Sequence, residues 1–455
     1  MNLRPYQQQA VTAFVNNNCI GILNMATGTG KTLTAIAAVN QVYATHHRQF
    51  LVIIVPFTHL VVQWENNLRY SGIYPDVKIM GVSARWRGQV PNLVWQYQHH
   101  LINRLILIGT YRSICSQHFE SALADLDDPN TFLLADECHY IGAPQSQRQS
   151  LFKFKQRLGL SATPNRWWDE DGTAFVRRLF GPNVFVYSMQ QAIDAGYLTP
   201  YTYQPTIVRL DSEEMGDFDT LTKKINRMMA TAEKKPELAE TLKTLLLKRS
   251  RIIKSASGKM VALEAQIAQQ QDQRFTLVYC ANMSEIKAVL HMLSHHRISA
   301  ARFDSTLNLM QREAVLARFA SGEISVLVAV KCLDEGVDVP ATRVAYFLAS
   351  TSNPREFVQR RGRILRRSAG KKQAEVHDYV VMPPVDYGGK FAETLIRHEL
   401  PRVYELNLNA ANKYEARDMM ISVLRQSQLG RYLDLSPQDI YLESQRKADG
   451  YDVTA

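Results

Sequence analysis

Cys19-Ile-Gly-Ile-Leu-Asn24 runs straight into Met25-Ala-Thr-Gly-Thr-Gly-Lys31-Thr32, and this junction decides how the chain folds. Residues 19–24 read as a short buried strand, and Leu33 to Tyr43 as a helix. Between them, Gly28 and Gly30 fall where the backbone must turn sharply and approach a ligand with no Cβ in the way. The N–H groups around Thr27, Gly28, Thr29 and Gly30, with the helix N-terminus, then face phosphates. Lys31 is spaced to reach the β- and γ-phosphates, and the Thr32 hydroxyl to ligate Mg²⁺. One position departs from the strict pattern: Met25 stands where Gly or Ala is usual.

Downstream, Thr131-Phe-Leu-Leu-Ala-Asp136 is an apolar run ending in an acid, followed by Glu137-Cys-His139. A buried parallel strand would deliver Asp136 to the carboxyl end of its sheet, where open α/β sheets bind ligands. Asp136 is positioned to hold Mg²⁺, and Glu137 to orient and deprotonate an attacking water. A loop for phosphates and a carboxylate pair for metal and water together predict hydrolysis of ATP.

With Asp-Glu-Cys-His in hand, the chain resembles the superfamily 2 helicases of the DEAD/DEAH type, and further motifs follow in order. Leu3-Arg-Pro-Tyr-Gln7 is similar to the adenine-reading segment, which implies Arg4 and Gln7 at the base. Ile54-Val-Pro-Phe-Thr58 with Gln63-Trp64 resembles motif Ia, and Gly109-Thr110-Tyr111 motif Ib. Ser161-Ala-Thr163-Pro164 matches motif III and Leu277-Val-Tyr-Cys280 motif IV. Asp334-Glu-Gly336-Val-Asp338-Val-Pro340 resembles motif V, and Gln359-Arg-Arg-Gly-Arg363-Ile-Leu-Arg366 motif VI. The Asp-Glu-Cys-His box and Ala195-Gly-Tyr-Leu-Thr-Pro200 resemble the branch holding restriction-enzyme motor subunits and XPB-like DNA translocases.

The resemblance implies two tandem RecA-like domains with parallel sheets, and ATP hydrolysed between them. It makes one or both of Arg363 and Arg366 arginine fingers, His139, Ser161, Thr163 and Gln359 coupling residues, and Gly336 part of the nucleotide site, with Asp338 contacting the ribose or helping to couple the lobes. It points to Thr58, Gln63, Thr110, Arg112 and Lys331 as strand-tracking residues, which suit phosphates better than base edges. Arg363 and Arg366 are three apart, so on one helix both guanidiniums would leave the same face. Trp167-Trp168 reads either as a base-stacking wedge or as a packing pair.

The chain has 455 residues, 46% of them apolar, which suits more than one globular core. Its formal net charge of +10 favours a polyanionic partner. Beside the motifs, that partner is nucleic acid, with DNA favoured over RNA. Five cysteines lack metal-ligand spacing, no apolar run is long enough for a membrane, and the N-terminal residues carry no secretory signal. These features predict a cytoplasmic protein.

Apolar runs at 20–24, 50–55, 104–109, 131–135, 275–280, 325–330 and 343–349 alternate with helical patterns, predicting parallel α/β sheets. The first lobe is placed at 1–198 and the second at 199–385, the latter including a helical segment at 212–273. That segment reads as packed helix or as an arm touching the duplex. A helical C-terminal extension follows at 386–455, interrupted by Pro401, with a helix start at Ser436-Pro437. No cutting domain is recognisable, so other subunits supplying an effector activity are a further expected partner. Two readings stay open: an ATPase that translocates on or unwinds DNA, or an ATP-gated clamp or sensor subunit of a repair or defence complex. A phosphate-loop kinase would leave the later motifs and the charge unexplained.

Overall fold

The computed structural model describes residues 2–81, 84–166, 169–232, 238–330, 339–349, 354–387, 390–425 and 430–448. The chain divides into two compact units, Met1–Tyr197 and Leu198–Ala455.

The first unit holds seven strands: β1 (Ile20–Met25), β2 (Gln49–Val55), β3 (Val77–Ile79), β4 (Arg104–Thr110), β5 (Thr131–Asp136), β6 (Gln156–Ser161) and β7 (Asn183–Tyr187). They lie in the order β3-β4-β2-β5-β6-β1-β7, every pairing parallel. Each residue of β2 is buried, as a strand covered by helices on both faces requires. The core joins Val52, Ile54 and Leu133 of the sheet to Tyr97, Phe154 and Phe175 from the connecting segments. The helix after the glycine loop spans Lys31–His46, longer at both ends than the expected Leu33 to Tyr43. Gly30 at φ 82° supplies the left-handed turn that lets it begin at Lys31.

The second unit holds β8 (Tyr201–Arg209), β9 (Thr276–Tyr279), β10 (Ala300–Phe303), β11 (Val326–Ala329), β12 (Val344–Phe347) and β13 (Ala374–Met382). Their order is β10-β11-β9-β12-β13-β8, again wholly parallel. Two parallel-sheet α/β units with helices are the architecture the sequence predicts. Residues 212–269 form helices Ser212–Ala232, Ala239–Lys254 and Gly258–Gln269. Met215, Phe218, Ile253, Leu263 and Ile267 from them enter the same core as Val278, Val328 and Val381. The segment is therefore packed on the sheet through those residues, while Leu246 and Leu247 of its middle helix stay exposed.

Helices Lys390–Asn407, Lys413–Leu424 and Pro437–Ala448 make up the C-terminal region. Pro401, expected to interrupt a helix, instead lies inside Lys390–Asn407. The flanking Glu399 and Arg402 are buried and paired to each other at 2.8 Å, and Arg402 also holds Asp378 at 2.9 Å. This anchoring on both sides of the proline outweighs the backbone hydrogen bond that it removes. Ser436 opens the last helix as expected, accepting from the Asp439 N–H at 3.2 Å. Among the described residues no helix is long and apolar enough to cross a membrane.

Candidate functional site

β5, β6 and β1 are neighbours and run parallel, so their carboxyl ends emerge along one edge of the first sheet. That edge carries Asp136 and Glu137 after β5, Ser161 at the end of β6, and the glycine loop after β1. The next strands, β2 and β4, bring the Thr58 helix and Thr110-Tyr111 to the same edge.

Gly28 and Gly30 both adopt positive φ, 87° and 82°. Thr29 is buried, and its hydroxyl donates to the Ala26 carbonyl at 2.7 Å. The Tyr6 phenol donates to the Thr29 carbonyl at 2.6 Å, and Gln7 Nε2 to the Thr29 and Gly30 carbonyls at 3.4 and 3.3 Å. Gln7 Oε1 accepts the Arg4 N–H at 3.0 Å, so this amide shapes the loop through both its ends. A Cβ on Gly30 would sit 2.7 Å from Gln7 Nε2. Beside the loop, Tyr6 stacks on Tyr187 with ring centres 4.1 Å apart, and the Arg4 guanidinium lies 4.4 Å over the Tyr197 ring. Sequence reasoning passed over these three tyrosines because two of them arrive from the far end of the unit.

Lys31 Nζ donates to the Met25 carbonyl at 3.3 Å and stands 3.9 Å from Glu137 Oε1. Glu137 Oε2 accepts from Ser161 Oγ at 3.3 Å and lies 3.5 Å from His139 Nδ1, which is itself 3.2 Å from Ser161 Oγ. The Thr163 N–H donates to Ser161 Oγ at 3.1 Å, and Arg166 holds the His139 carbonyl at 2.8 Å. One hydroxyl thus joins the ends of β5 and β6. Glu137 itself sits at φ 46° and ψ 56°, a left-handed conformation costly for a residue with a Cβ. Loss of water, then the neighbouring Glu137 charge, pushes the Asp136 carboxyl up to about 6, opposed by Trp64 and Lys31.

Two aromatic side chains that sequence reasoning left without a role close on this acidic pair. Trp64 Nε1 donates to Asp136 Oδ2 at 2.8 Å. The Tyr111 phenol donates to the main-chain carbonyls of Asp136, at 2.8 Å, and Glu137, at 3.3 Å. Trp64 continues the apolar stripe Leu60, Val61, Leu68, and so reads in sequence as core.

Thr58, Gln63 and Arg112 are exposed, whereas Thr110 is buried with its hydroxyl given to Ser113 Oγ at 3.2 Å. In the second unit, Gln359 and Arg363 belong to the helix Pro354–Ile364, Gln359 half-buried and Arg363 buried. Arg366 lies beyond that helix in a bridge to Leu198, so the expectation that both arginines share one helical face is corrected. Past the helix end, Lys371 Nζ donates to the Ile364 and Arg366 carbonyls, which lie at and beyond the last helical residue and so outside its ladder. Lys331, Gly336, Asp338, Trp167 and Trp168 lie outside the described residues.

The first unit's edge fits a nucleotide with its cation. The helix Lys31–His46 has no side-chain cap over its first N–H groups, and Thr27 Oγ1 is buried without a hydrogen-bond partner among the described residues. Burial and the Glu137 charge raise the Asp136 carboxyl, so a cation bound beside it would be favoured.

Comparison with known proteins bears on what this arrangement is. Residues 1–166 match the family described as type III restriction enzyme, res subunit, and residues 258–368 the helicase conserved C-terminal domain. The DNA 3'-5' translocase XPB2 of Sulfurisphaera tokodaii is 27% identical over 406 residues, covering 85% of this chain and 83% of the relative. The DNA 3'-5' helicase XPB of Mycobacterium tuberculosis is 27% identical over 388 residues, and there the match spans 84% of this chain but 61% of the relative. Among solved structures, the ATP-dependent type ISP restriction-modification enzyme LlaBIII bound to DNA shares the fold, with a TM-score of 0.60 at 19% identity, over 90% of this chain and 30% of that one.

Two parallel-sheet units, the first ending its strands in a glycine loop and an acidic pair, define a helicase-type, nucleic-acid-dependent ATPase. These likenesses support a superfamily 2 helicase related to XPB-like translocases and restriction-enzyme subunits.

Proposed function

We propose that the chain is an ATP-driven DNA translocase whose hydrolysis is carried out at the carboxyl edge of the first sheet. The supporting observation is the convergence of Lys31, Glu137, His139 and Ser161 within hydrogen-bonding or ion-pairing distance at the ends of three adjacent strands. ATP with Mg²⁺, when bound, supplies the phosphoanhydride bond whose cleavage drives movement. The loop N–H groups from Thr27 to Gly30 and the Lys31 ammonium would hold its phosphates, and Thr32 and Asp136 its cation. Arg4 and Gln7 would lie beside the base.

Glu137 orients a water and takes its proton, while Ser161 and His139 fix its second carboxylate oxygen. Arg363 and Arg366 are proposed to neutralise charge at the terminal phosphate, with Gly336 and Asp338 contributing to the same nucleotide. Ser161, Thr163, His139 and Gln359 are proposed to couple hydrolysis to movement. Thr58, Gln63, Thr110, Arg112 and Lys331 are proposed to track the backbone of DNA in preference to RNA. Other subunits supplying an effector activity are proposed as partners, as the res-subunit match suggests.

The test combines ATP turnover with displacement of a third strand from duplex DNA. The wild-type chain is expected to show DNA-stimulated turnover and to displace the strand. Lys31→Ala and Glu137→Gln are expected to lose turnover by at least about a hundredfold while still binding DNA. Turnover retained by Glu137→Gln would remove it from the chemistry. DNA-stimulated turnover without displacement on any substrate would replace the translocase with an ATP-gated clamp.

A further inference from the structure

The helix Thr58–Tyr70 and the short helix Tyr111–Ile114 each present two faces with different neighbours. Outward, they expose Thr58, Gln63 and Arg112. Inward, each sends one aromatic donor onto the acidic pair. Trp64, adjacent in sequence to Gln63, is 1% exposed and donates to Asp136 Oδ2 at 2.8 Å. Tyr111, adjacent to Arg112, is 5% exposed and holds the carbonyl of the Asp136–Glu137 peptide and the Glu137 carbonyl beyond it.

That peptide is where the backbone is costly. Glu137 is left-handed, and such a conformation persists only where its surroundings over-determine it. The Glu137 N–H turns back onto Asp136 Oδ1 at 3.0 Å, Trp64 takes Oδ2, and Tyr111 grips the carbonyls. Of these three donors, the Glu137 N–H and Trp64 fix the Asp136 carboxylate, and Tyr111 fixes the main chain from which the Glu137 side chain departs. Two of them ride on rigid rings anchored in the elements that carry the exposed Thr58, Gln63 and Arg112. A displacement of either helix by a few tenths of an ångström would alter a hydrogen bond to the acidic pair directly, with no intermediate element.

We propose that Trp64 and Tyr111 are positioning residues through which DNA seated on these two helices sets the Asp136–Glu137 pair for hydrolysis. The proposal rests on the translocase reading above and adds to it a route for DNA stimulation lying wholly within the first unit. Neither ring touches substrate in this scheme; each acts through the acid that it holds.

Tyr111→Phe deletes the donor and keeps the ring, whereas Trp64→Phe deletes the donor and also shrinks a buried ring, a packing loss that the thermal melt reads separately. Steady-state ATP turnover is measured with and without duplex DNA, alongside DNA affinity by fluorescence anisotropy and a thermal melt to establish folding. Each variant is expected to lose about tenfold in DNA-stimulated kcat, with the KM for ATP and the Kd for DNA within about twofold of wild type. Because both act on one peptide, the double variant is expected to lose less than the product of the single losses. If both variants keep full stimulation, the proposal falls and the translocase reading stands. If either loses DNA affinity in proportion to turnover, that residue belongs to the binding surface and its positioning role is refuted. A wild-type chain whose turnover ignores DNA overturns the translocase reading first, and this proposal with it.

Discussion

Glu137 stands at φ 46° and ψ 56°, where L-residues other than Asn and Asp seldom rest. The strain is local, and this backbone aims the carboxylate at Lys31 on one oxygen and at Ser161 and His139 on the other. Substitution can separate the two effects. Glu137→Gln keeps the conformational cost, whereas Glu137→Gly removes it. The Gly variant is therefore expected to be more stable than the Gln variant by about 1 kcal/mol in urea denaturation, while both lose turnover. Equal stability would mean that the surroundings impose no net strain here. At this scale the sequence was legible where the chemistry is contiguous, as in the glycine loop and Asp136-Glu-Cys-His139. It was silent where a partner arrives from elsewhere in the chain. Trp64 looks like one more apolar position of an amphipathic helix, and only the fold reveals its indole N–H on a carboxylate 72 residues away.

The elements divide the same way. Runs such as Leu51 to Val55 read as strands because burial on both faces leaves an unbroken apolar sequence. β3, β6, β7, β8, β10 and β13 went unread, and β13 shows why. Ala374-Glu-Val-His-Asp-Tyr-Val-Val-Met382 carries charge into a buried strand, and pattern alone counts Asp378 against burial. The structure offsets that charge with Arg402, whose Nε lies 2.9 Å from Asp378, and with the Tyr203 phenol at 3.1 Å. Removing the guanidinium would strand both Asp378 and Glu399. Arg402→Met is therefore expected to destabilise the chain by about 3–5 kcal/mol in urea titration. Lys371, 6% exposed, is the corresponding device at the end of the Pro354–Ile364 helix, donating to the Pro340, Ile364 and Arg366 carbonyls. Burial, then Arg343, lowers its ammonium to about 7, well below the ordinary lysine value. Between that pH and about 10 the unfolded chain binds the extra proton, so this group's contribution to stability rises with pH, by up to about 1.4 kcal/mol per unit. The thermal midpoint of wild type minus that of Lys371→Met is expected to increase from pH 7 to pH 9. A flat or falling difference would mean that the three carbonyls hold the proton as firmly as water does.

For the whole molecule, the formal charge of +10 and the exposed side chains at the first sheet's carboxyl edge make a joint statement about binding. Thr58, Gln63 and Arg112 offer a hydroxyl, an amide and a guanidinium, groups that suit phosphate oxygens along a backbone more than the edge of a particular base. Affinity should then come mainly from counterion release. For a footprint of about six phosphates, it is expected to fall about a thousandfold between about 50 and 200 mM salt. Two duplexes of unrelated sequence should bind within about threefold of each other at any one salt concentration, because phosphate contacts carry no sequence information. Arg112→Ala provides the sharper measurement. If its guanidinium neutralises one phosphate, the slope of log affinity against log salt becomes shallower by about 0.9, equally for both duplexes. An unchanged slope would place Arg112 off the DNA track. A change confined to one sequence would mean base readout, and the chain would then select its sites rather than slide through them.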